Sequence, residues 1–129
     1  MIITSLPKLN ENWDETAFTN AIRDAVSFFG GTTIKLGASQ FMAKGTPDTY
    51  YTLGGVSFLM ESKVHPNKMS PIQQRVISDI RKANGKVWAI TFKVDHMYLD
   101  TGEMFDNFTE LFIHIYSECK KLTEPNWCR

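Results

Sequence analysis

G-T-P-D-T-Y-Y-T-L-G-G-V-S-F-L-M-E-S-K, residues 45–63, is the stretch on which the fold of this chain turns. Asp48–Leu53 and Val56–Lys63 both have strand composition, and Gly54-Gly55 joins them. Two-residue hairpins use primed turns with φ > 0, which glycine adopts without a Cβ clash. Such a turn pairs Leu53 with Val56, and the register then carries Asp48 opposite Glu61. Side chains directly opposed across a ladder have Cβ atoms about 5 Å apart. Lys63, two residues beyond Glu61, projects from the same face.

Two like charges opposed on a sheet repel. A divalent cation removes the conflict, because Mg²⁺ takes one or two carboxylates and completes its shell with water and phosphate oxygens. A lysine beside such an ion can hold a water or offset charge growing on a phosphate. The alternative is a solvated hairpin face carrying Asp, Glu and Lys with no joint role.

Working outward, V-H-P-N-K-M (64–69) reads as a loop, and Ser70-Pro71 opens a helix over 71–84 with proline at its first position. Ile72, Val76, Ile77, Ile80 and Ala83 make its apolar stripe, and Asn84-Gly85 stops it. Gln73 follows Ser70 by three, a capping-box spacing. Lys86–Phe92 is a nearly continuous apolar strand. A strand, a helix and a second strand predict a right-handed crossover, with Val56–Lys63 and Val87–Phe92 as parallel neighbours.

Before the hairpin, Trp13, Phe18, Ile22, Val26 and Phe29 repeat at helical spacing, predicting a helix over 13–29 that Gly30-Gly31 ends. Glu15, on the edge of the stripe with Phe18, Ile22 and Val26, leans toward the core and admits two readings: the N3 residue of a capping box with Asn12, or a functional carboxylate. Thr32–Leu36 suits a strand beside the hairpin, and 37–45 is a loop leading Gln40, Phe41 and Lys44 toward Pro47-Asp48. After residue 93, Met97–Leu99 suits a short strand and 107–121 a final helix. His65, His96 and His114 share no spacing that suggests a metal site, nor do Cys119 and Cys128.

With 129 residues, 43% hydrophobic and 22% charged, the expectation is one domain over 1–129 with an ordinary core. No apolar run approaches the ~18 residues of a membrane span. The first residues lack a signal peptide's basic start and apolar core, so a reduced, cytoplasmic setting is expected. The formal net charge is zero, yet it is unevenly placed. Residues 35–93 carry nine basic and three acidic side chains, or +6, against −2 before them and −4 after. A polyanionic partner fits that middle segment.

Taken in order, a helix bearing Glu15, G-T-P-D (45–48), E-S-K (61–63) and S-P-I-Q (70–73) opening a helix before a strand resemble the PD-(D/E)XK nuclease superfamily. The S-P-x-Q step resembles its VRR-NUC (virus-type replication-repair nuclease) family most closely, and the match spans about residues 12–92. The resemblance implies an α/β fold of the restriction-endonuclease type: a mixed β-sheet flanked by helices, in the order α-β-β-β-α-β, then a C-terminal helix. It implies Mg²⁺- or Mn²⁺-dependent hydrolysis of phosphodiester bonds. Asp48, Glu61 and the backbone carbonyl of Ser62 would bind the metal, Lys63 would position or activate water, and Gln73 would line the site. Glu15 would be the acidic residue supplied by the first helix, a place for which Glu11 and Asp14 compete. Lys44, Lys68 and Arg75 are the side chains expected to meet DNA around this set. Similar stand-alone proteins imply a homodimer acting on branched DNA such as a Holliday junction. A nuclease for linear or flap DNA, or a non-catalytic nucleic-acid-binding module, are the alternatives.

Overall fold

The structure, a computed structural model, describes residues 5–36 and 44–121. Along the chain run α1 (Glu15–Phe28), β1 (Thr32–Lys35), β2 (Thr49–Leu53), β3 (Val56–Val64) and α2 (Pro71–Lys82). They are followed by β4 (Val87–Lys93), β5 (His96–Leu99), β6 (Met104–Phe105) and α3 (Phe108–Lys120). All six strands join one sheet whose spatial order repeats the chain order. The Gly54-Gly55 turn pairs Leu53 with Val56 and Thr49 with Met60, the register its two-residue length dictates. Both glycines have positive φ, 59° and 85°.

Every neighbouring pair is antiparallel except β3 and β4, which run parallel with Glu61 beside Ala89 and Lys63 beside Thr91. The intervening α2 makes the expected crossover. The mixed α/β architecture and the order α-β-β-β-α-β with a closing helix are as expected. The two-residue β6 was not anticipated, since so short a run has no periodicity to read.

One face of the sheet is thickly covered. Phe58, Met60, Trp88, Ile90, Phe92, Met97 and Leu99 pack there against Phe18, Ile22 and Val26 of α1 and Leu111, Phe112 and Ile115 of α3. Each such large side chain stabilises the fold by roughly 1.5–3 kcal/mol when buried. Trp13 lies just before α1, not in it, and packs against Phe18 and Phe92 in tilted ring contacts with centroids 6.0 and 5.2 Å away. It acts as a hydrophobic staple, fixing the angle at which the chain enters the helix.

The opposite face carries α2 alone, and here the stripe expected from sequence is corrected. Only Ile77 of α2 is buried, over Val87 and Ala89 with Leu59, Met69 and Ile80 at the margin. Ile72 is 46% exposed and Ala83 is exposed. The strip of sheet beneath α2 is too narrow to cover a full apolar stripe.

The start of α1 is also corrected. Asp14 caps it, its Oδ1 accepting the Ala17 N–H at 2.8 Å. Asn12 is not the cap, and Glu15 is the first helical residue. Among the described residues, no helix is long and apolar enough to cross a membrane.

Candidate active site

β3 outruns β2. The ladder ends at Thr49 and Met60, while β3 continues to Val64 with β4 on its other side. Asp48 occupies the resulting notch. Its carbonyl accepts the Leu36 N–H at 2.8 Å, holding its backbone toward β1. Its side chain takes the place of a missing ladder partner: Oδ2 accepts the Ser62 N–H at 2.8 Å. The Thr49 hydroxyl donates to Oδ1 at 2.9 Å. The carboxylate is therefore aimed by two donors from two strands. Thr49 is a residue that sequence reasoning missed, although it sits directly after Asp48.

Glu61 projects beside it and is only 5% exposed. Alternation along β3 puts Glu61 and Lys63 on the α2 face, while Phe58 and Met60 enter the main core. Lys63 Nζ lies 3.8 Å from Glu61 Oε2 and 3.8 Å from Glu15 Oε1. With Asp14 serving as the cap, the Glu15 carboxylate is left to reach Lys63. The structure thus gathers Glu15, Asp48, Glu61 and Lys63 from three separate segments.

The electrostatics follow from that crowding. Burial pushes the Glu61 carboxyl up to about 8, and the negative charge of Asp48 adds to the rise. Lys63 pulls it back only in part, while a hydrogen bond to Asp48 and the charge of Glu15 push further. Burial also raises Asp48, against the hydrogen bonds from Ser62, Thr49 and Glu61. Burial and the charge of Asp48 thus favour a protonated carboxyl at Glu61. A hard divalent ion is a chemically apt replacement for that proton, since the donors are oxygens already brought together. The Ser62 carbonyl leaves the strand on the same edge as its N–H, toward Asp48.

The remaining residues expected at the site have local contacts or exposure of their own. Gln73 completes a capping box: its N–H donates to Ser70 Oγ at 3.2 Å, and its Oε1 accepts the Ser70 N–H at 2.9 Å. Lys44 and Lys68 are exposed, and Arg75 is 81% exposed with Asp79 at 4.0 Å. Gln40 and Phe41 lie outside the described residues. Arg81, one of the nine basic side chains of the middle segment, is tied to Asp100 by two hydrogen bonds of 2.6 and 2.8 Å. Three metal-ligating residues whose ligand atoms lie within 4.8 Å of one another occur elsewhere among the described residues, at Glu103, His114 and Glu118. Glu15, Asp48 and Glu61 do not form so close a triplet.

Fold and site together define an α/β protein whose mixed sheet holds a buried glutamate, a partly buried aspartate and a lysine at a strand notch. No family model matches the chain, and no curated protein matches its sequence. Its fold is similar to that of Archaeoglobus fulgidus Hjc, a Holliday junction resolvase from an archaeal hyperthermophile. The TM-score is 0.52 at 10% identity, covering 78% of this chain and 97% of that one.

Proposed function

We propose that this chain is a divalent-metal-dependent DNA endonuclease of the PD-(D/E)XK superfamily, nearest the VRR-NUC family, that cuts branched DNA as a homodimer. The observation that carries this reading is the gathering of Asp48, Glu61 and Lys63 where β3 outruns β2. The fold of the archaeal resolvase supports the choice of a branched substrate.

Asp48, Glu61 and the Ser62 carbonyl would hold Mg²⁺ or Mn²⁺ through hard oxygen donors. When bound, the cation supplies Lewis acidity, acidifying water and steadying phosphate oxygens. Ser62 N–H and Thr49 keep the Asp48 carboxylate from rotating away, so the donor geometry is fixed before substrate arrives. Lys63, held between Glu61 and Glu15, places an ammonium where negative charge grows on the phosphate and orients the attacking water. Hydrolysis adds that water across one P–O bond, leaving a phosphate monoester end and a hydroxyl end. Glu15 acts by positioning Lys63. Shape and phosphate recognition govern selection.

A four-way junction, a flap and a linear duplex of matched sequence, incubated with the protein in Mg²⁺ or in chelator, test the reading. The junction is expected to be nicked only with metal, and at least about tenfold faster than the duplex. Glu61→Gln and Lys63→Ala should each lower the rate by about 10²–10³. Equal cutting of junction and duplex rejects the branched substrate, and undiminished cutting by both variants rejects the site.

A further inference from the structure

The sheet's other face carries a second constellation that the nuclease reading leaves unused. His114 and Glu118 stand one turn apart on α3, so both project from one side of that helix. Glu103 comes from the segment between β5 and β6. One ligand atom from each lies within 4.8 Å of those of the other two. We infer that Glu103, His114 and Glu118 form a second cation site, suited to Zn²⁺, that fastens α3 to the β5–β6 edge of the sheet.

The strongest support is the state of His114. Its Nε2 is buried and has no hydrogen-bond partner among the described residues. Glu103 Oε2 lies 3.6 Å from it, beyond hydrogen-bond range. Two ligands of one tetrahedral zinc, with bonds of about 2.0–2.2 Å, sit about 3.4 Å apart, so this spacing suits a shared ion better than a direct bond. A buried ring nitrogen facing a carboxylate at that separation is what a metal would satisfy.

The carboxylates are prepared in the same sense. The Thr101 hydroxyl donates to Glu103 Oε1, orienting it from behind as outer partners orient ligating groups. Lys121 Nζ lies 2.6 Å from Glu118 Oε2, so a bound ion displaces that ammonium or takes the other oxygen. A cavity of about 350 Å³ reaches Thr101, Glu103 and Glu118 and is lined also by the cations Arg81, Lys86 and Lys121. One imidazole with two carboxylates favours Zn²⁺ over Mg²⁺, which prefers an all-oxygen octahedral shell. The spacing of the three histidines could not reveal this group, because only His114 belongs to it and its other two ligands are glutamates. The His114/Glu118 interval of four was the readable part.

The test uses the full chain, stripped of metal and titrated with Zn²⁺ against a chromophoric chelator in excess Mg²⁺. One Zn²⁺ per chain is expected in the wild type and in Glu61→Gln alike. His114→Ala and Glu118→Gln should each weaken binding by more than the ~10- to 100-fold that losing an outer partner costs. Thr101→Val should cost about that 10- to 100-fold itself. Co²⁺ in place of Zn²⁺ should give the intense visible absorption of a four-coordinate ion in the wild type and lose it in Glu118→Gln. Since the Glu118 side chain is partly exposed, that variant keeps the test decisive if His114→Ala fails to fold. An absent zinc equivalent in the wild type, one that survives Glu118→Gln, or one lost with Glu61→Gln overturns the site.

Discussion

Glu61 concentrates the molecule's electrostatic tension in a single carboxyl. Its pKa rises from an ordinary 4.5 to about 8, and Asp48 is raised beside it. Between those two values the folded chain holds a proton that the unfolded chain has released. The folded state therefore binds more protons, and stability falls as pH rises across that window. For one proton the slope cannot exceed about 1.4 kcal/mol per pH unit. Urea denaturation in chelator from pH 5 to 8 should show this decline, and Glu61→Gln should flatten it. An equal slope in the variant would mean that Glu61 is not the group responsible. Much of this was legible beforehand: the Gly-Gly turn alone put Asp48 opposite Glu61. The choice between two roles for Glu15 was not, because Asp14 and Asn12 are both good caps and only the packing of Trp13 fixes where the helix begins.

At the scale of elements, the link between α2 and the sheet is more polar than its sequence announces. Arg81 reaches the Val87 carbonyl through Nε at 3.2 Å and Nη2 at 2.9 Å while gripping Asp100. Asp100 Oδ1 in turn accepts the Ala89 N–H at 3.0 Å. With only Ile77 of α2 deeply buried, this clamp holds the C-terminal end of the helix to β4. Arg81→Ala should destabilise the chain by about 1–3 kcal/mol, and so should Asp100→Ala. The double variant should cost less than their sum, since both remove one network. Chemical denaturation of the three variants provides the check, and strict additivity would show two independent interactions. The crossover was readable from the alternation of strand and helix patterns. How deeply α2 is buried was not, because an apolar stripe shows which way a helix faces and not how much partner surface awaits it.

Across the whole molecule, the charge and the layering point the same way. The segment 35–93 carries the positive excess, and α2, Lys68 and Arg75 within it lie on the thinly covered side. If DNA is drawn there, replacing Lys44, Lys68 or Arg75 with Gln should lower the slope of log K against log salt by about one for each phosphate left without its cation. Binding titrations from low to moderate salt measure this, and an unchanged slope in all three variants would place the DNA elsewhere. The notch beside β3 has a further consequence. A bare strand margin is a template on which a second copy can add its own strand, and natural sheets blunt such margins with charge. Asp48 does so here at the Ser62 amide, which it stoppers while also being a candidate ligand. Asp48→Ala would unstopper that margin, so lost activity in such a protein would mix a missing ligand with clumping, whereas Glu61→Gln leaves the stopper in place.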